Sequence, residues 1–412
     1  MIAINPVEID IEHLSEVVRK VCSKPHMMLG EWTATPLHGG MEWDSAVFRY
    51  QGNAMVENIN IPWSVILKVI HPSNKSMDPQ GIWYWKRETL AYQTGLVYQL
   101  PGGHFSAPAC YSIDEQQDGS LWMWLEDLQD DNDKPWTVED FARVAHHLGQ
   151  FNGAYLAGHK VPGEEWVSHN WLRKYIENAK PMIEFIRENP NHPVIMHMFP
   201  GGTLAQVLAV WDERNAILNM LERLPQTFCH QDAFRRNLFS RSGKTYAIDW
   251  GYLGIAPVGA ELVALVAASI SFFEIPVEKV KELDQQCFQG YVQGLREAGW
   301  VGNTRQVRTG YAVSLLLRYP IAGQIGEVLP KLLDQEGRAR MEQAFEDKTA
   351  DQLEKSDPAL VAYYEGILPE ALKLLGWKIL VRLVARIIRY TLWLYSKRVL
   401  GIGRNETSPK PS

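Results

Sequence analysis

At 412 residues the chain is longer than one core usually fills, so two lobes or domains are expected. A composition of 46% hydrophobic and 22% charged residues is that of a folded globular chain and excludes a disordered one. The formal net charge of −7 argues against nucleic acid as a partner, because a duplex-binding surface needs a basic face.

The four cysteines, Cys22, Cys110, Cys229 and Cys287, form no C-x-x-C pair and read as reduced thiols of an intracellular, cytoplasmic protein. The opening stretch lacks a basic n-region followed by a long apolar run, so no signal peptide is expected. The fifteen tryptophans are expected mainly in the packing of the core.

In chain order, Ile9 to Val21 reads as a short amphipathic helix. Two β-type runs, Trp32 to Leu37 and Ser45 to Tyr50, flank His38-Gly39-Gly40-Met41. They form a hairpin whose glycine turn can approach a phosphate closely, although a plain hairpin explains it equally well. Trp63 to Ile70 is an apolar strand interrupted once, by Lys68. A lysine there either snorkels at an edge or points into a cleft toward an anion. After a loop over 71–80, Gly81 to Thr94 is predicted as a helix carrying Trp85, Glu88 and Tyr92. A second hairpin joins Pro108–Asp114 to Leu121–Leu125 and ends in Trp124-Leu-Glu126-Asp-Leu128. The acidic run Asp127, Asp130, Asp131 and Asp133 marks a solvated linker.

From Thr137 the period turns helical. Thr137-Val-Glu-Asp140 matches a capping box with Asp in place of Glu. Phe141, Val144, Leu148, Phe151 and Tyr155 then predict a buried spine helix. His146, His147, His159 and His169 fit no i, i+4 ligand pair, so a metal site there is rejected. Further helices are expected over Trp166–Glu188, Leu204–Leu224, Val277–Glu297, Thr304–Gln324 and Leu332–Leu353, with Asn189–Pro193 and Pro200–Gly202 as loops.

The richest stretch runs from Cys229 to Glu261. His230, Asp232, Asn237 and Asp249 follow the order H-x-D, N five residues after that Asp, then D-W-G. Between them Ser240 to Lys244 reads as a turn and Thr245 to Ile248 as a strand. A hairpin of that size sets its ends side by side, so Asp232, Asn237 and Asp249 can surround one small volume. Three oxygen-bearing side chains suit a hard cation such as Mg²⁺. Asn237 and Asp249 can hold the metal while Asp232 accepts a proton from an attacking hydroxyl, the division of labour that phosphoryl transfer needs. The bland alternative makes Asp232 and Asn237 turn-formers and His230 a core histidine. Glu261 lies near the N-terminal end of the following helix and is read as support for the metal loop.

The stretch resembles the catalytic and metal-binding loops of the aminoglycoside phosphotransferase and choline kinase group, distant relatives of the protein kinases. The kinase pattern H-R-D-x-x-x-x-N followed by D-F-G reads here as H-Q-D-x-x-x-x-N followed by D-W-G. The resemblance spans residues 30–325. It implies a protein-kinase-like bilobal α+β fold: a small N-lobe with an antiparallel sheet and helix (1–128), a larger, mainly helical C-lobe (129–355), and a tail (356–412) outside it. The implied activity is Mg²⁺-dependent transfer of the γ-phosphoryl group of ATP or GTP to a hydroxyl of a small molecule. On that plan Gly39, Gly40 and Ser45 cover the nucleotide. Lys68 contacts its phosphates with Glu88 as ion-pair partner, and the main chain around Glu126 and Leu128 pairs with the base. Asn237 and Asp249 bind the metal, Asp232 is the base, and His230 orders the loop.

Protein kinases carry a lysine two residues past the catalytic Asp; here that position is Phe234. Arg235 or Arg236 can supply the charge, and Arg236 is taken as the candidate. The lack of an A-P-E segment argues against a protein substrate. An acidic balance with many aromatics is compatible with a cationic acceptor. The competing class is a kinase-shaped module that binds nucleotide or a partner without turnover. Ser242-Gly-Lys-Thr245 imitates the end of a P-loop, but Leu238 stands where the upstream glycine belongs. No G-x-S-x-G or H-E-x-x-H exists to support hydrolase or zinc chemistry.

From Ala371 to Arg404 there are eight basic residues and no acidic one. Lys378, Arg382, Arg386 and Arg389 predict a basic stripe on a helix, with Ile379, Leu380, Leu383, Val384, Ile387 and Ile388 on the other side. A helix packed on its own lobe with a solvated basic edge is preferred over membrane-surface contact through 371–404.

Overall fold

The computed structural model describes residues 9–37, 45–72, 77–131, 134–272, 274–344 and 358–400; Gly39, Gly40 and Asp133 lie outside them. The chain divides into two units. The first comprises Met1–Lys134, Glu164–Val167 and Arg236–Tyr252, and the second Pro135–Gly163, Ser168–Arg235 and Leu253–Ser412. Residues 236–252, read from the sequence as part of the larger lobe, therefore belong with the first unit, and the tail belongs with the second.

The first unit is built on a five-stranded antiparallel sheet. It comprises β1 (Met28–Leu37), β2 (Ser45–Val56), β3 (Ile59–Ile70), β5 (Cys110–Glu115) and β6 (Leu121–Glu126), in the order β1-β2-β3-β6-β5. Period-two alternation decides which face is covered. Trp63, Val65, Leu67 and Val69 of β3 are buried with Phe48, Tyr50 and Trp124 under Leu14, Val17 and Val18 of helix α1 (Ile11–Cys22). Lys68 faces the other way. Beyond the sheet, the short strand β4 (Phe105–Ser106) pairs with Lys244–Ala247, which in turn pairs antiparallel with Leu238–Arg241. Ser242 (φ 50°) and Gly243 (φ 73°) form the two-residue turn of that hairpin, and both are left-handed as the tight hairpin geometry demands.

Helix α2 covers only Arg87–Gln93, not the whole of Gly81–Thr94. The cause is Arg87 itself. Its guanidinium is fully buried and donates to the carbonyls of Pro79, Gly81 and Ile82, which holds 79–86 in turns. It also donates to the carbonyls of Trp166 (2.9 Å) and Gly251 (2.8 Å). Burial brings the Arg87 pKa down to about 10, so the cation persists at neutral pH.

In the second unit, α3 (Val138–Leu156) starts at the Thr137–Asp140 capping box, with both reciprocal hydrogen bonds present. It crosses the helix Val280–Glu297 so closely that glycines are required on both sides. A Cβ on Gly149 would lie 2.2 Å from the Tyr291 carbonyl oxygen, and one on Gly294 would lie 2.1 Å from that of His146. The expected helix over Trp166–Glu188 is broken into α4 (Trp171–Glu177) and α5 (Lys180–Glu188), the second opening with a proline in its first turn. Helices α6 (Pro193–Met198) and α7 (Thr203–Leu221) follow. The helix Thr304–Leu317 passes into π-helical turns over Arg318–Val328. A small sheet of Ser168–His169, Gly254–Pro257 and Gln226–Cys229, absent from the sequence reading, carries the chain into and out of the H-x-D loop.

The terminal helix, Trp377–Tyr395, packs on α7 with its basic stripe turned partly inward. Arg386, buried, bonds Glu213 at 2.8 Å and Asp212 at 3.2 Å, and Arg382 bonds Glu213 at 2.8 Å. The expected solvated basic edge is thus corrected: two of its four cations are paired, while Val384 and Ile388, expected under cover, are exposed. Charge decides this orientation, because Asp212 and Glu213 are themselves buried on α7 and need cations. Among the described residues, no helix is long and apolar enough to cross a membrane.

Candidate active site

In the first unit, β3 delivers Lys68 to two carboxylates. Its Nζ donates to Glu88 Oε2 at 2.5 Å and to Asp249 Oδ1 at 3.1 Å. Burial alone would lower the lysine pKa, but Asp249 and Glu88 outweigh it and hold Lys68 firmly protonated. Burial pushes Glu88 up, against the pull of Lys68.

Asp249 has φ 63° and a side chain that is nearly half exposed. A left-handed non-glycine at such a point is held there by its surroundings, and this kind of strain collects at functional positions. Asn237 is buried at the start of the hairpin. The register pair Leu238–Ala247 continues into a hydrogen bond from Ile248 N–H to the Asn237 carbonyl (3.0 Å). The hairpin thus sets Asn237 opposite the residue before Asp249. An amide and a carboxylate are hard oxygen donors, the set that suits Mg²⁺ when phosphate oxygens and water complete its shell. Among the described residues, no group of three or more His, Cys, Asp or Glu side chains forms a metal cage.

The remaining first-unit candidates are less telling. Ser45 opens β2 opposite Ile70 and is half-buried. Glu126 spends its N–H on the Ala109 carbonyl (2.8 Å), while its carboxylate takes the Ala109 N–H (3.1 Å) and pairs with Arg241. Leu128 is buried. Arg236 is exposed.

In the second unit, the H-x-D loop is braced from beneath. The buried carboxylate of Glu261 accepts the backbone N–H groups of His230 (2.8 Å) and Gln231 (2.9 Å). The support that the sequence assigned to the metal loop thus reaches the H-x-D loop. Burial raises the Glu261 pKa despite both bonds. Gln231 is left-handed (φ 72°), which turns the chain between His230 and Asp232. His230 is fully buried, and its Nδ1 accepts the Asp232 N–H at 3.2 Å.

Asp232 receives a cation that the sequence reading missed. Arg318 Nη2 donates to Asp232 Oδ1 at 3.3 Å, and the guanidinium lies 4.8 Å from the centroid of the Trp171 ring. Arg235 instead lies over Trp136, 4.2 Å from its centroid. Phe234, standing where kinases carry lysine, stacks on Phe272. Arg318 sits 86 residues beyond Asp232. No local pattern marks it, because only tertiary folding brings the end of the helix Thr304–Leu317 to the H-x-D loop.

An antiparallel-sheet unit carrying a Lys–Glu–Asp ion cluster, together with a mainly helical unit carrying a braced H-x-D loop, defines a phosphotransferase of the kinase-like class. The model of the phosphotransferase enzyme family, APH, matches residues 78–300, and the chain belongs to that family. It is a phosphotransferase that uses an alcohol group as acceptor.

Among solved structures, spectinomycin phosphotransferase APH(9)-Ia, in complex with ADP and spectinomycin, is 16% identical. The match covers 88% of this chain and 99% of that one with a TM-score of 0.52, which shows a shared fold. Amicoumacin kinase hAmiN in complex with AMP-PNP, Ca²⁺ and Ami is 14% identical over 79% of this chain and 89% of its own, with a TM-score of 0.49. A choline/ethanolamine kinase family protein from Mesorhizobium loti is 15% identical over 91% and 98%, with a TM-score of 0.39. No curated protein sequence matches the chain.

Proposed function

We propose that the protein transfers the γ-phosphoryl group of ATP, or of GTP, to a hydroxyl of a small molecule in a Mg²⁺-dependent reaction. The observation that carries this reading is Lys68 held between Glu88 and Asp249, a cation fixed within the apolar middle strand of the sheet. Lys68 braces the phosphates, and Glu88 keeps it extended and charged. Gly39, Gly40 and Ser45 cover the nucleotide, while main chain near Glu126 and Leu128 meets the base. Asn237 and Asp249 would hold Mg²⁺, which when bound neutralises charge on the phosphate oxygens.

Asp232 orients the acceptor hydroxyl and takes its proton as the new O–P bond forms and the bond to the departing nucleoside diphosphate breaks. His230 and Glu261 fix the loop that presents it. Arg318, more than Arg236, supplies the positive charge that protein kinases place two residues after the base. Its contact with Asp232 Oδ1 aims the carboxylate. Because the cation beside Asp232 is the chain's own, a hydroxyl on a neutral or anionic framework suits this position better than the cationic acceptor with which the composition is compatible.

The test is single-turnover nucleotide consumption with a panel of hydroxylated small molecules, comparing wild type with Asp232→Asn. Acceptor-dependent ADP release by wild type, lost by about 10³-fold or more in the variant with nucleotide affinity retained, is expected. Equal consumption by both proteins, with contaminating ATPases excluded, places the chain instead among kinase-shaped binding modules.

A further inference from the structure

The terminal helix turns Arg386 inward and leaves an apolar face outward, the reverse of an ordinary surface helix. Its packed side is Leu383, Arg386, Tyr390 and Leu394. Tyr390 donates to Asp212 at 2.9 Å, and Arg187 donates to both Asp212 (2.6 Å) and the Tyr390 hydroxyl (3.0 Å). This network fixes the rotation of the helix on α7. The opposite side presents Trp377, Val381, Val384, Ile388, Leu392 and Tyr395, each between 45% and 77% exposed. Their spacing of four, three, four, four and three residues keeps them on one side over five turns, about 27 Å of helix.

Two cations outside the pairs with Asp212 and Glu213, Lys378 and Arg389, border that exposed surface. The helix contributes no acid to it, and the acids that pair with it, Asp212 and Glu213, are buried beneath. The ends of the stripe are a tryptophan and a tyrosine, side chains that favour the boundary between water and lipid headgroups.

We propose that this face lies on the surface of a membrane rich in anionic lipid, with the apolar stripe in the headgroup layer and Lys378 and Arg389 against lipid phosphates or carboxylates. Charge complementarity selects this occupant. Two copies of the helix set face to face would bring these cations together with no acid from either helix between them, whereas an anionic bilayer satisfies both and receives the stripe. The helix does not span the bilayer; it lies along it. The proposal is independent of the phosphotransferase reading.

Flotation of the full-length protein with vesicles of phosphatidylcholine alone, and of phosphatidylcholine mixed equally with phosphatidylserine, tests it. Binding to the mixed vesicles, weakened by added salt, is expected to exceed binding to neutral ones by roughly tenfold or more. Ile388→Asp with Leu392→Asp should abolish binding. Lys378→Glu with Arg389→Glu should remove the preference for anionic lipid. All four side chains are exposed, so thermal melts should match wild type. Three outcomes overturn the proposal: no binding to either vesicle, equal binding to both, or a dimer in solution that Ile388→Asp dissociates, which would mean the face pairs copies of this chain.

Discussion

Lys68 illustrates how a single misplaced charge in an apolar strand announces chemistry. Burying an ammonium costs several kcal/mol unless carboxylates compensate, and removing one partner of such a pair costs roughly 3–5 kcal/mol. The alternation of β3 makes Lys68 legible in the sequence, and Glu88 follows as a nearby acid on the next predicted helix. Asp232, Asn237 and Asp249 were legible for a different reason: their order and spacing are local, carried by a hairpin of a few residues on each side. Arg318 and Arg87 were not. Each acts on groups tens of residues away, and an arginine within a helix gives no sign of whether it ends in water or on a carboxylate. The role proposed for Arg318 makes a sharp expectation. Arg318→Met should lower kcat by about 10²-fold, the scale set by removing one charge stabiliser from a reacting centre, while the KM for nucleotide stays near wild type. Arg318→Lys should recover part of the loss. Steady-state kinetics with varied nucleotide checks both, and a change confined to the KM for nucleotide would remove Arg318 from the acceptor side.

At the scale of elements, prediction succeeded where one residue period ran long enough and failed where tertiary contacts overrode it. The spine helix α3 declares itself by its capping box and apolar period, and the turn over Ser242 and Gly243 by its residue types. Helix α2 loses the half that would precede Arg87, since a buried guanidinium that needs carbonyl acceptors takes them from the backbone groups a helix would use. Gln226–Cys229 and Gly254–Pro257 are four residues each, too short for a period of two to show. The crossing of α3 over Val280–Glu297 is sensitive to a single methyl group. Gly294→Ala places a carbon against fixed backbone of His146 and Gln150 and should cost about 1–3 kcal/mol, read as a drop in Tm of several degrees. Gly163→Ala, which meets nothing within 4 Å, should leave Tm nearly unchanged.

For the whole molecule, the informative property is that the first unit is discontinuous. Its sheet comes from the first 134 residues, yet Glu164–Val167 and Arg236–Tyr252 belong to it as well. Length suggested two lobes or domains, and the resemblance drew them as consecutive stretches, 1–128 and 129–355, with a tail. They could not show a boundary crossed several times, because segment membership is settled by hydrogen bonds and not by residue content. A fragment of residues 1–134 keeps the core of α1 and the sheet but loses two of the carbonyl acceptors of Arg87 and the Asp249 partner of Lys68. It is expected to bind a hydrophobic dye and to lack a cooperative thermal transition. A sharp melt with no dye binding would show that the later segments add nothing to its stability.

Arg87 donates to carbonyls from all three pieces of that unit: Pro79, Gly81 and Ile82 in the first, Trp166 in the second and Gly251 in the third. During synthesis this guanidinium is made early with three of its acceptors beside it, and the other two arrive only with the strips ending at Val167 and Tyr252. Closure of the small unit around Arg87 therefore waits on translation of much of the large one.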